Sequence, residues 1–186
     1  MRIVAGSYKG QKITTPSDYD IRPTTDRIRE ALFNILEHGI EGFTLTDIRA
    51  IDLFSGTGAL GLEALSRGAR FTLFVEENAR ARGLIRENVE TLGATGKSKI
   101  FRRDATNLGE IGRIEPFGLA LLDPPYGKGL GEKALAALHE GGWLLTDAVI
   151  VLEEDKKSEI DLPVNFEDIM TRNYGNTTLT IARYLG

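Results

Sequence analysis

The chain has no cysteine and only two histidines, His38 and His139, far apart in its 186 residues. Without cysteine there is no disulfide framework, no zinc ribbon and no thiol nucleophile. Two isolated imidazoles leave no basis for a histidine-based triad or a dedicated transition-metal centre, so no metal is expected. No apolar run approaches the roughly 18 residues needed to span a bilayer. The N-terminal stretch Met-Arg-Ile-Val-Ala-Gly-Ser-Tyr-Lys breaks off too early for a secretory signal, and a cytoplasmic protein is expected. Positive charge is not in excess either: the formal net charge is −4 and the pI about 5.3. That balance argues against an indiscriminate nucleic-acid binder. Repeats and low-complexity linkers are missing too.

What is present suits one globular domain with a sizeable core, 41% hydrophobic and 27% charged. Its charge is segregated. Residues 1–29 carry Arg2, Lys9, Lys12, Arg22, Arg27 and Arg29 against Asp18, Asp20 and Asp26, a local excess of three positive charges. Lys97, Lys99, Arg102 and Arg103 form a second basic cluster with no acid among them. Such clusters fit a docking face for phosphates; taken singly, each is equally a solvated face.

Residues 2–14 read as a short hairpin around the turn Gly6-Ser-Tyr-Lys-Gly10, and 15–23 as a connector. A helix starts near Thr24 or Thr25, either of which can cap it. Its stripe is Ile28, Ala31, Leu32, Ile35 and Leu36. Strands then alternate with helices: strands at 49–53, 71–75, 98–102, 118–122 and 148–152, helices at 58–67, after the cap Asn78, and over roughly 130–140. Near-continuous apolar strands in this order imply a parallel sheet with helices on both faces. Residues 166–172 and 177–184, joined by Tyr174-Gly-Asn176, read as an antiparallel hairpin closing the sheet. Trp143 is assigned to packing, and the histidines to helix surfaces or ends.

Gly56-x-Gly58-x-x-Gly61 follows a predicted strand and opens a predicted helix, the setting in which such glycines bind ligands. Glycine lets the backbone turn sharply and approach a ligand with no Cβ in the way. Glu76 closes the second strand 20 positions after Gly56, where a carboxylate can accept from a ribose diol. NAD enzymes and methyltransferases share this pattern, and glycines that merely allow close strand–helix packing are the simpler alternative. Asp52 tips the balance, because a pyrophosphate binder would rarely want a negative charge there. A sulfonium cofactor bearing an ammonium group is attracted by it. Asp104, just past the third strand, can meet an adenine amino group or cap a helix.

Asp123-Pro-Pro-Tyr126 follows the fully apolar fourth strand. Neither proline has an N–H, and each holds the residue before it extended. The segment therefore presents acceptors without donors, the Asp123 carboxylate and the Pro124 carbonyl. An amino group with two N–H donors fits such a wall, and engaging both turns its lone pair toward an incoming methyl. Tyr126 can stack on a flat base, worth roughly 1–3 kcal/mol. A rigid turn is the bland alternative.

Together these residues resemble the class I S-adenosylmethionine-dependent methyltransferases that methylate amino groups. Arg2-Ile-Val-Ala-Gly, Arg22-Pro-Thr-Thr-Asp-Arg-x-Arg-Glu-Ala-Leu-Phe-Asn34, Asp52-Leu-Phe-Ser-Gly-Thr-Gly-Ala-Leu-Gly-Leu-Glu-Ala-Leu-Ser-Arg67 and Asp123-Pro-Pro-Tyr126 are similar to the bacterial RsmD family, which methylates guanine N2 of small-subunit (16S) ribosomal RNA. The resemblance implies a Rossmann-like α/β fold with a seven-stranded, mostly parallel sheet and an antiparallel C-terminal hairpin. Residues 1–23 would be an RNA-facing hairpin and connector, and 24–186 the methyltransferase domain. S-adenosyl-L-methionine would be held by Asp52, Phe54, Ser55, Gly56, Thr57, Gly58 and Glu76. Asp104 and Ala105 would lie near its adenine, and Thr24 and Thr25 would close over its methionine end. Asp123, Pro124, Pro125 and Tyr126 would hold the target base, while Arg2, Lys9, Lys12, Arg22, Arg27 and Arg29 meet RNA. The implied partner is ribosomal RNA, within the small subunit or an assembly intermediate, and the chain is expected to act as a monomer. The expected chemistry is direct in-line transfer to a flipped base. The competing readings are a DNA adenine-N6 or cytosine-N4 methyltransferase, a protein-glutamine methyltransferase, an NAD-linked oxidoreductase and a non-catalytic assembly factor.

Overall fold

Strands that are apolar on both faces can be buried only as the middle layer between helices, and this chain builds that sandwich. The computed structural model describes residues 1–16 and 25–186. In chain order the elements are α1 (Asp26–His38), β1 (Arg49–Leu53), α2 (Ala59–Ser66), β2 (Phe71–Val75), α3 (Ala79–Thr91), β3 (Ser98–Phe101), β4 (Phe117–Leu122), α4 (Leu130–Glu140), β5 (Leu144–Asp155), β6 (Phe166–Tyr174) and β7 (Thr177–Tyr184). They form a seven-stranded sheet in the order β3-β2-β1-β4-β5-β7-β6. β1 to β5 pair in parallel, while β7 runs antiparallel to both β5 and β6. This is the Rossmann-like class I methyltransferase architecture anticipated from the sequence. Among the described residues no helix is long and apolar enough to cross a membrane.

Side-chain alternation along the buried strands sorts the core into two faces. Ile51, Leu53, Val75, Leu122 and Leu152 pack under α4 with Leu135, Leu138 and Trp143. Ala50, Leu119, Leu121 and Val151 pack under α1 and α2 with Leu32, Leu36 and Leu60. Asp52 belongs to this second face, which brings its carboxylate under α2.

Most predicted boundaries hold to within a residue or two. β5 is the exception, expected over 148–152 and observed from Leu144 to Asp155. Leu145, Thr146 and Asp147 are exposed, Asp147 has a left-handed φ of 66°, and the pairing with β4 shifts register between Phe117 and Leu119. A bulge thus carries a polar stretch through the strand. At the other end β5 runs on into Glu153 and Glu154, acids that a periodicity reading takes for loop.

The N-terminal hairpin pairs Arg2 with Lys12 and docks on the helices. Its Ile3 and Ile13 are buried among Leu62, Leu65, Ile85 and Val89. Buried Glu63 of α2 accepts hydrogen bonds from the Val4 and Ala5 N–H groups at 2.9 and 3.0 Å. Asn88 of α3, also buried, accepts from Thr14 N at 2.7 Å and donates from Nδ2 to the carbonyls of Thr14 and Thr57 at 3.1 and 3.0 Å. One side chain therefore ties the hairpin to the loop that follows β1.

Candidate active site

The strand order reverses direction between β1 and β4, and ligands of open α/β sheets gather at the carboxyl ends of the strands beside such a switch. Residues 54–58 leave β1 at that point. Phe54 is held at φ 56° and Gly56 and Gly58 at 54° and 79°. A left-handed phenylalanine costs roughly 1–2 kcal/mol, a local strain the surrounding bonds must hold. Ser55 Oγ donates to the Asp52 carbonyl at 2.6 Å, and Gly56 N donates to Glu76 Oε2 at 2.9 Å. Gly61 N donates to Asp52 Oδ2 at 2.9 Å. A Cβ at Gly61 would lie 2.4 Å from the Phe74 ring and 2.9 Å from that Asp52 oxygen. The third glycine is therefore a packing glycine, while the first two shape the loop.

Beside the loop lies a cavity of about 540 Å³, lined in part by Phe54, Glu76, Asn78, Asp104, Ala105 and Pro125. That volume suits a nucleoside-sized ligand. Glu76 is half-buried and accepts from Gly56 N through one oxygen and from Asn78 N through the other, at 2.9 and 2.8 Å. Each carboxylate oxygen retains a second lone pair, so Glu76 can still accept from a vicinal diol. Asp104 caps a turn, accepting from Thr106 N and Oγ1 at 2.8 and 2.7 Å. No helix follows it, so the helix-cap alternative does not hold. These groups fit S-adenosylmethionine, with diol acceptor, aromatic wall and carboxylate side chains all on one cavity.

Asp123 to Tyr126 leave β4 next to the glycine loop, and Asp123 N reaches the Leu53 carbonyl of β1 at 3.4 Å. Pro124 is buried, Pro125 reaches the cavity wall, and Tyr126 is half-buried. Burial raises the Asp123 carboxyl well above its ordinary proton affinity, and the charges of Glu153, Asp52 and Glu154 raise it further. Tyr126 donates its hydroxyl to Glu153 Oε1 at 2.6 Å, and Gly127 N donates to Glu154 Oε1 at 2.9 Å. Burial and that carboxylate partner raise the phenol too, which keeps it an O–H donor.

Of the residues expected at a cofactor, Phe54, Glu76, Asp104 and Ala105 meet on one cavity together with Pro125. Asp52 does not reach its wall. It is 1% exposed and serves the Gly61 N–H from below, with its carboxyl raised well above the usual range by burial and by Glu76. Ser55 and Gly58 are buried in the loop, and Thr57 is tied back through Asn88. Thr25 caps α1, accepting from Ile28 N at 3.3 Å; Thr24 and Arg22 lie outside the described residues.

Arg2, Lys9, Lys12 and Arg27 are exposed. Arg29 is a correction: it is fully buried, donating to the Arg2 carbonyl and Asp26 at 2.5 and 2.8 Å. It braces the hairpin against α1 and has no surface to offer RNA. Its spacing to Leu32, Phe33 and Leu36 was the available signal, because it places Arg29 on the buried stripe. Sequence reasoning also missed Asn78, Arg103, Thr106 and Leu130 on the cavity wall, and Glu153 and Glu154 behind the acceptor segment. Paired acids closing an apolar strand were the clue to the last two.

Comparisons with known proteins agree with this geometry. The model of the family described as Conserved hypothetical protein 95 matches residues 1–183. A Bacillus subtilis protein, YlbH, described as a candidate rRNA methyltransferase, is 35% identical over 191 residues, 100% of each chain. Ribosomal RNA small subunit methyltransferase D of Escherichia coli is 34% identical over 168 residues, 89% of this chain and 81% of its own. The solved structure of Escherichia coli yhhF, described as a candidate methyltransferase, superposes with a TM-score of 0.83 at 30% identity, covering 100% of this chain and 98% of that one. Fold, glycine loop, acceptor segment and full-length similarity converge, and the chain belongs to the RsmD family, the family described as Conserved hypothetical protein 95.

Proposed function

We propose that this protein, an S-adenosylmethionine-dependent rRNA methyltransferase by family, methylates the exocyclic N2 amino group of a guanine in small-subunit (16S) ribosomal RNA, acting on a base turned out of its stack. The observation that carries the reading is the Asp123-Pro-Pro-Tyr126 segment, whose two prolines carry no N–H, beside the glycine loop, with Asp123 N donating to the Leu53 carbonyl of β1. The cofactor supplies a methyl group on a sulfonium, already a good leaving group. The protein's task is alignment. Glu76 and the walls of the cavity hold the nucleoside end, and Asp123 with the Pro124 carbonyl accepts the two N–H bonds of the target amine. As the N–C bond forms and the S–C bond breaks, the amine becomes cationic and then sheds one proton. Asp123, with its raised proton affinity, is suited to stabilise that cation and to take the proton. Guanine carries N1–H beside its amine, so one carboxylate can accept from both, whereas adenine offers a bare acceptor there.

The exposed Arg2, Lys9, Lys12 and Arg27 support a phosphate-binding role for the N-terminal face, now without Arg29. The acidic body of the chain favours an assembled particle as substrate, where shape adds to charge. Two measurements test the whole. Nucleotide mapping of 16S RNA from cells lacking the protein should reveal one guanine that has lost its N2 methyl. Asp123→Ala should bind S-adenosylmethionine normally in calorimetry while kcat on small subunits drops about 10³-fold. Methylation of duplex DNA but not of the particle, or full turnover by Asp123→Ala, would overturn the reading.

A further inference from the structure

β5 ends in consecutive acids, and Glu153 and Glu154 are only 2% and 4% exposed. Carboxylates withdrawn from water so completely are tolerated only when engaged. Both are engaged by the acceptor segment. Glu153 takes the Tyr126 hydroxyl at 2.6 Å, a short, charge-assisted bond. Glu154 takes the Gly127 N–H at 2.9 Å, and the same oxygen takes Asp155 N at 2.9 Å and Ser158 Oγ at 3.3 Å. The two prolines stiffen the backbone up to Pro125 but leave the side-chain torsions of Tyr126 free. Its hydroxyl bond removes that freedom. The ring is then held at both ends while remaining half-exposed.

We propose that Glu153 is a positioning residue for methyl transfer: from the end of β5 it holds Tyr126 by the hydroxyl and so fixes the plane on which the target base stacks, with Glu154 anchoring the turn at Gly127. This rests on the acceptor-segment reading above. Glu153 does not touch the cofactor cavity, so its effect belongs to turnover and not to cofactor affinity. A loosely held ring would still stack on bases, but in orientations that do not line up nitrogen, methyl and sulfur.

A double-mutant cycle tests the idea with labelled S-adenosylmethionine and small ribosomal subunits from cells lacking the enzyme. Tyr126→Phe removes the hydroxyl and keeps the ring. Glu153→Met removes the acceptor at nearly constant volume, and Glu153→Gln restores an acceptor oxygen. Each of the first two should lower kcat about tenfold with the cofactor Kd changed less than about twofold. Their combination should fall no further than the worse single variant, because both break the same bond. Glu153→Gln should recover most of the loss. If Glu153→Met unfolds, Tyr126→Phe and Glu153→Gln, which leave the core filled, still decide. Multiplying effects, wild-type kcat in Tyr126→Phe, or Glu153→Gln as slow as Glu153→Met would each overturn the proposal. The wild-type control separates the two readings. Should it leave the particles unmodified, the proposed substrate fails, and the cycle is read on duplex DNA, the competing acceptor.

Discussion

Residues 54–58 rise from β1 and residues 123–126 from its neighbour β4, and each loop is pinned by carboxylates from the strand outside it. Glu76, at the end of β2, holds the glycine loop through Gly56. Glu153 and Glu154, at the end of β5, hold the acceptor segment through Tyr126 and Gly127. The symmetry stops at exposure. Glu76 stands on the cavity wall, whereas Glu153 and Glu154 are buried behind the residues they hold. On the cofactor side one carboxylate both shapes the loop and lines the cavity. On the acceptor side the acids that do the holding are separate from Asp123, to which the proposed function gives the target amine. A binding site can merge the two tasks, because affinity tolerates small shifts. Alignment for reaction does not, and there the tasks are separated.

The largest effect expected on the cofactor side comes from Glu76→Gln. The amide keeps one acceptor but places an NH2 against the Gly56 or Asn78 N–H, so loop and diol contacts weaken together. Cofactor Kd by calorimetry should rise about 10- to 100-fold, while kcat at saturating cofactor changes by less than about threefold. A large fall in kcat at unchanged Kd would break the comparison, since Glu76 would then behave like the acceptor-side acids.

Much of this arrangement was legible in advance, and what escaped has physical reasons. α1, α3 and the five parallel strands announce themselves through period and caps, because burial on one or both faces leaves a repeating signature. Glu76, Asp104 and Asp123 are readable as acids at strand ends, where ligands of such sheets collect. Arg29 escapes a charge-based reading because charge alone does not report exposure; an arginine whose Nη2 donates to a backbone carbonyl and to Asp26 can be fully buried. Asp52 was placed against the cofactor, yet strand alternation turns its side chain toward α2, not into the cavity. Arg103 and Thr106 come from the loop after β3 and Leu130 from the start of α4, and only the folded sheet brings them to one wall.

Asp52 offers an intermediate effect and a pH signature. Burial, with the Glu76 charge adding to it, makes this carboxyl hold its proton far more tightly folded than unfolded. Such a group contributes its full stabilisation below the unfolded value, about pH 3.9, and loses it as pH rises through the folded value. Asp52→Asn carries no charge to bury and keeps an oxygen for Gly61 N. Without cofactor, its melting temperature relative to the wild type should therefore climb as pH goes from 4 to 8. A difference that stays flat across that range would mean that Asp52 does not carry the proton.

The smallest effect separates cap from ligand within the cofactor half. Asn78 lines the cavity, but its Oδ1 is occupied by the Arg80 and Ala81 N–H groups at 2.9 and 3.1 Å. What it lends to Glu76 is its backbone N–H, at 2.8 Å. Asn78→Ala deletes the cap and spares that bond. Stability should fall by about 1 kcal/mol, a drop of roughly 2–4 °C in melting temperature for a chain of this size. Cofactor Kd should move by less than about twofold, since nothing in contact with the Glu76 carboxylate has changed. A tenfold weakening instead would make the Asn78 amide a ligand contact. Holding and touching would then be divided between residues on the cofactor side too, and the contrast with the acceptor side would shrink to a difference in burial alone.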